Sequence, residues 1–131
     1  MREIAVATSG HSQALDITRL VNEAIAALGV EDGWCRVFVP HTTAGLAVNE
    51  AADPDVMVDL LAALERLAPW RADYRHGEGN SAAHVKSVLV GSTLTLPVKG
   101  GRLDLGAWQG VFLMEFDGPR RRRVRVDAGR Y

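Results

Sequence analysis

The chain has 131 residues, of which 47% are hydrophobic and 24% charged, ordinary proportions for one globular domain. At this length roughly two-thirds of the unfolded surface can be buried, enough for a core without staples. A formal net charge of −1 gives no global field to draw the protein to nucleic acid or anionic lipid.

The single cysteine, Cys35, excludes an internal disulfide and suits a reducing compartment. It lies in an apolar run, where it reads as a small core residue rather than a nucleophile. The opening stretch MREIAVATSGHS lacks an apolar run long enough for a signal peptide or a membrane span. The expectation is one soluble cytoplasmic domain over residues 1–131, with no nucleic-acid or membrane partner.

In chain order, residues 2–8 place Ile4 and Val6 in alternation and predict a first strand. Asp16 opens a helix whose stripe is Ile17, Leu20, Val21, Ala24, Ile25 and Leu28, closed by Gly29. Trp34–Val39 and Leu46–Val48 read as strands, joined by Pro40-His41-Thr42-Thr43-Ala44 and a flexible Gly45. Asp53-Pro54 starts a second helix, with an N-cap side chain followed by a proline whose missing N–H costs nothing there. Its stripe is Met57, Leu60, Leu61, Leu64 and Leu67, and Pro69 ends it.

The polar segment YRHGEGNSAAHVKS, residues 74–87, leads into a short helix over 82–90 that Asn80 or Ser81 can cap. His84 falls beside a Val85/Val88 stripe and is expected to be partly buried. Thr93–Val98, a Lys99-Gly100-Gly101 turn and Leu103–Leu105 follow. Trp108–Phe116 is apolar on both faces and therefore predicted to be a central strand. In LGAWQG, residues 105–110, Gly106 and Gly110 suggest a bulge or a close approach, Trp108 is assigned to the core, and Gln109 faces the other way. The last strand is Arg121–Val126. Strands at both ends around two long helices and one short one predict an α+β domain with a largely antiparallel sheet.

The run GPRRRRVRV resembles a polyanion-binding patch, but strand parity argues otherwise. With Val124 and Val126 facing the core, Arg122 shares their side while Arg121, Arg123 and Arg125 point away. A close hairpin at Asp117-Gly118-Pro119-Arg120 would set Glu115 opposite Arg122, Leu113 opposite Val124 and Val111 opposite Val126.

The chemistry-bearing residues are His41, His76 and His84, with Glu50 nearby in sequence. Three imidazoles with an open fourth position describe catalytic zinc sites, although the spacing matches no compact metal motif. Without metal, His76 and His84 can act as a general acid/base pair. Each also has a purely structural reading, and His11, in a Ser-Gly-His-Ser turn, reads as surface.

Taken together, HTTAGLAVNE, YRHGEGNSAAHVKS, GGRLDLGAWQG and EFDGPRRR, in this order from about Ile4 to Val126, resemble the YjbQ-like family. The resemblance implies a barrel- or sandwich-like antiparallel sheet, assembly as a homotrimer, and a polar pocket between subunits that takes a divalent metal or an anion. It also implies a weak, secondary thiamine-phosphate synthase activity, the condensation of a pyrimidine diphosphate with a thiazole phosphate that releases pyrophosphate.

The matching positions are His41, Asn49-Glu50, His76, Asn80, His84, Trp108-Gln109 and Arg120. Ala107 departs from the family pattern, which has threonine before Trp-Gln. On this reading His41, His76 and His84 would hold a zinc-like metal, or magnesium if the substrate is a diphosphate, and His41 and His84 would also serve catalysis. Glu50 would be a base or an outer partner of the metal. Asn49, Asn80, Trp108, Gln109 and Arg120 would line the ligand, with Asn80 and Arg120 on phosphate. The alternative is a non-catalytic trimeric module that binds a metal or a small anionic metabolite.

Overall fold

The computed structural model describes residues 1–131 and resolves these patterns into eight strands and three helices. In chain order they are β1 (Arg2–Ala7), β2 (Gln13–Asp16), α1 (Thr18–Leu28), β3 (Gly33–Phe38), β4 (Ala44–Glu50), α2 (Pro54–Leu67), α3 (Ser81–Val90), β5 (Thr93–Lys99), β6 (Arg102–Leu103), β7 (Gln109–Glu115) and β8 (Arg121–Gly129). A five-stranded sheet runs β1-β8-β3-β5-β6 and a three-stranded sheet runs β2-β7-β4. Every strand pair is antiparallel, and the sheets curl around a shared core as a half-barrel.

The predicted stripes account for the helices. On α1, Val21, Ala24 and Ile25 are buried, Ile17 is buried just before its start, and the chain leaves through Gly29 in a left-handed conformation. On α2, the Asp53 carboxylate accepts a hydrogen bond from the Asp55 backbone N–H, with Pro54 in the first turn. Met57 is buried, and Leu60, Leu61 and Leu64 pack beside it. Leu67, at the end of the predicted stripe, is exposed.

β7 explains the layering. Val111 and Leu113 face the larger sheet and α1, while Phe112, Met114 and Phe116 face Met57 of α2 and Ala83 of α3. The strand is central between β2 and β4, as its two apolar faces predict. α3 lies on β4, where the Ser87 hydroxyl donates to the Ala44 carbonyl at 2.6 Å. Gly45 serves this packing rather than loop flexibility. It is buried in β4, and a Cβ there would come 2.8 Å from the Gly91 carbonyl oxygen.

Three expectations are corrected. β7 and β8 do not form a hairpin: they belong to different sheets, and the cis Gly118–Pro119 corner carries the chain from one to the other. Strand parity nonetheless holds. Arg122 is buried with Val124 and Val126, Arg121 and Arg123 are exposed and Arg125 is half-buried. The expected Glu115–Arg122 pair exists, but as a bridge between sheets rather than across a ladder. The second correction is Trp108, which is 67% exposed just before β7 instead of buried. The Leu103–Leu105 strand is also shorter than expected, ending at Leu103.

Three corners that switch the chain between sheets meet at one end of the molecule: residues 8–12, 39–43 and 116–120. Backbone bonds tie them together, from Thr8 N–H to Arg120 O, from Phe116 N–H to Thr43 O and from Gly118 N–H to His11 O. Glu115 sits at their centre, fully buried. Its Oε1 accepts from the Thr8 hydroxyl at 2.8 Å and from Arg122 Nε at 2.9 Å. Its Oε2 accepts from the backbone N–H groups of Phe116 and Asp117 and from Arg122 Nη2. Arg122 Nη2 also donates to the Thr43 hydroxyl at 2.8 Å and to its carbonyl.

Burial opposes ionisation of Glu115, but the hydrogen bonds from Arg122, Thr8 and Asp117 outweigh it and hold the carboxyl below its ordinary 4.5. Folding therefore favours the ionised form. That stabilisation is complete above about pH 4.5 and is lost as the pH falls through the lower folded value. Breaking a buried pair from one side leaves a charge without its partner, so Glu115→Gln is expected to lose about 3 kcal/mol in urea unfolding at pH 7. An E115Q loss that stays as large at pH 3 as at pH 7 would contradict this assignment.

Candidate functional site

The loops at this end enclose a polar cavity of about 450 Å³. The corner after β3 supplies His41, Thr42 and Thr43, the α2–α3 connection supplies His76 and Asn80, α3 supplies His84, the corner after β7 supplies Arg120 and the start of β8 supplies Arg122. The three predicted histidines therefore share one cavity. His76 and His84 stand edge to face with ring centroids 5.4 Å apart. His84 is half-buried as expected, but the Val85/Val88 stripe beside it faces solvent. α3 is inverted, with Lys86 and Ser87 buried and Val88 83% exposed.

His41 is fixed by its backbone neighbour: Arg123 N–H donates to its Nε2 at 2.9 Å. An acceptor at Nε2 makes the neutral ring carry its proton on Nδ1. Burial lowers the pKa of His41 below 6.5, and the positive charges of Arg122 and Arg123 lower it further. His41 is therefore a neutral N–H donor.

Arg120 is oriented by Asp117. Its Nε donates to the Asp117 carbonyl at 2.7 Å and its Nη2 to the Asp117 carboxylate at 2.9 Å. The same carboxylate oxygen accepts from Asn80 Nδ2 at 2.9 Å, and His11 Nε2 lies 3.8 Å from the other oxygen. Asn80 precedes α3 but makes no side-chain cap, contrary to the expectation from its position, and Ser81 falls within the helix. Asp117 and Thr43 are the organising residues that sequence reasoning missed. Asp117 looked like turn chemistry, and Thr43 was only one hydroxyl of a loop. His11, expected at the surface, is half-exposed with its ring edge-on to Trp70 at 4.4 Å.

The cavity is rich in donors rather than in net charge. Arg120 and Arg122 each bind a carboxylate, Asp117 and Glu115, and the exposed Glu78 adds a third acid at the rim. The donor set does not fit a metal within the chain. No three of the His, Cys, Asp and Glu side chains gather as a metal-holding group, and the Nε2 lone pair of His41 is already engaged. Protonating His41 or using Nε2 for a ligand would require breaking that bond.

The other predicted residues lie elsewhere. Asn49 pairs with Gly110 and Glu50 with Gln109 at the far end of the β4–β7 ladder, whose near end pairs Ala44 with Glu115. Six residues of strand separate the two ends by roughly 20 Å. Glu50 lines a different cleft, of about 350 Å³, with Asp16, Asp53 and Met57. Gln109 is exposed, and its Oε1 accepts from Gly106 N–H at 2.8 Å. Gly110 is a close approach, as expected: a Cβ there would come 2.8 Å from the Ala51 side chain.

Comparison with known proteins matches residues 2–130 to the family described as UPF0047 protein YjbQ-like. The chain belongs to the YjbQ/UPF0047 family. It is 46% identical over 121 residues to a UPF0047 protein of Methanocaldococcus jannaschii, covering 92% of this chain and 88% of that one. It is 43% identical over 127 residues to YugU of Bacillus subtilis, covering 96% of each. The fold matches a crystal structure of a YjbQ/UPF0047 protein from Clostridium acetobutylicum with a TM-score of 0.96 at 48% identity, over 98% of this chain and 100% of that one. A Sulfolobus solfataricus relative, described as of unknown function, matches with a TM-score of 0.92 at 32% identity, over 97% and 94% of the two chains. None of the helices is long and apolar enough to cross a membrane.

The hydrogen bond to His41 yields a spectroscopic expectation. Long-range ¹H–¹⁵N correlation should show Nδ1 protonated and Nε2 bare, with titration only below pH 6.5. Its contribution to stability is full above 6.5 and falls as acid protonates the ring. A His41 that titrates at or above 6.5, or carries its proton on Nε2, would be inconsistent with the assigned bond.

Proposed function

We propose that the protein binds a small phosphorylated or otherwise anionic metabolite in the cavity where its three corners meet. The observation that carries this reading is the convergence of fixed donors. His41 Nδ1–H, the oriented Arg120 guanidinium, Arg122 and the Thr42 hydroxyl all border one space. α3 begins on the same wall without a side-chain cap, so the positive end of its dipole remains available to an anion.

Isothermal titration with inorganic phosphate and pyrophosphate tests this reading. Arg120→Ala is expected to weaken binding about tenfold or more, the scale for losing a charge-assisted contact, while the unfolding midpoint stays close to wild type because Arg120 is half exposed. No binding of either anion to the wild type would defeat the proposal.

A second reading, thiamine-phosphate synthase-type transfer, is favoured by the His76–His84 pair, which can pass a proton beside a departing pyrophosphate held by the same donors. Glu50 is not a base for this cavity within one chain. Pyrophosphate release from a pyrimidine diphosphate and a thiazole phosphate, abolished by H76A/H84A, would support the enzyme. Binding without release would favour the module.

Assembly as a homotrimer belongs to the same proposal. It is supported by the solvent-facing Val85, Val88 and Leu89 of α3 and by exposed Trp108. Light scattering should then give three times 14.2 kDa, and Val88→Asp should shift it to a single chain.

A further inference from the structure

We infer that the molecule taken by this cavity carries a hydrogen-bond donor, a hydroxyl or an amino group, beside its anionic group, and that Asn80 Oδ1 receives it. The inference rests on the anion-binding reading above and narrows its ligand to phosphomonoesters of small polyols or amino alcohols.

Asn80 is only 6% exposed, yet it borders the cavity. Its Oδ1 is the one buried side-chain nitrogen or oxygen in the protein without a hydrogen-bond partner. The orientation of the amide is not arbitrary. Nδ2 donates to the Asp117 carboxylate, which can only accept, so turning the amide over would set oxygen against oxygen. The usual employment for such an oxygen, capping the helix that follows, is also refused: α3 has no side-chain cap. A buried acceptor withheld from both neighbour and helix costs stability unless something donates to it.

The other groups around the cavity do not supply that donor. Arg120 is turned onto Asp117 and Arg122 onto Glu115 and Thr43. An acceptor without a partner at the edge of a donor-rich space repels a bare anionic oxygen and welcomes an O–H or N–H. Among the lining residues Asn80 carries a buried acceptor without a partner, and Glu78 adds an exposed one. The pattern matches a ligand with an anion at one end and a donor at the other.

The test compares methyl phosphate, which has no added donor, with glycerol 3-phosphate and phosphoethanolamine, titrated calorimetrically into the wild-type full chain and Asn80→Ala. At least one donor-bearing ester should bind wild type roughly tenfold tighter than methyl phosphate, the scale of one buried hydrogen bond. In N80A that preference should shrink to about twofold or less, with methyl phosphate little changed. Equal wild-type affinities for all three esters would overturn the inference while leaving the anion-binding reading intact. Binding of none of them would remove both. The wild-type comparison alone decides the matter if N80A does not fold.

Discussion

Everything at the cavity end of this molecule hangs on the buried ion pair between Glu115 and Arg122. Taking both charges out of water is costly, and such pairs hold only when the remaining hydrogen-bonding capacity is filled. Here it is filled from three directions: Thr8 after β1 and the backbone of Phe116 and Asp117 on the carboxylate, with Thr43 on the guanidinium. Each of those residues lies at a corner where the chain leaves one sheet for the other. A pair of apolar side chains at this place would fill space but would not dictate which three corners converge.

The cavity follows from that convergence. Because β8 must begin beside Glu115, Arg120 falls at the residue just before it and is caught by Asp117. Because β3 runs along β8, its exit places His41 against the Arg123 backbone, which fixes the tautomer of the ring. The packing of α3 on β4, through Ser87 and the missing side chain of Gly45, brings Asn80 and His84 to the same rim. The result is a set of donors held in place before any ligand arrives, which reduces the cost of ordering them on binding.

Much of this was legible in the residues, and the failures have physical causes. The two-faced apolar run of β7 required a strand covered on both sides, and it has one sheet on one face and two helices on the other. The alternation of valine and arginine in β8 gave its parity correctly. Periodicity, however, records which face a side chain takes, not which sheet its strand joins. Glu115 and Arg122 thus looked like a hairpin pair when they bridge two sheets. The histidines converge because loops return to one end, whereas Glu50 sits nine residues from His41 with a whole strand between them, and an extended strand carries it away. Asp117 was hidden because an aspartate before Gly-Pro is ordinary turn chemistry. The outward Val88 and Leu89 of α3 escaped notice because apolar residues on a helix are normally taken to face the core.

The most direct test of the account is a titration of ¹H–¹⁵N-labelled protein with glycerol 3-phosphate, following every backbone amide. The account predicts shifts concentrated in residues 40–43, 76–84 and 117–123, and little change at Asn49, Glu50 and Gln109 at the other end of the β4–β7 ladder. Shifts centred on Glu50 and Gln109 with the corner residues undisturbed would contradict it.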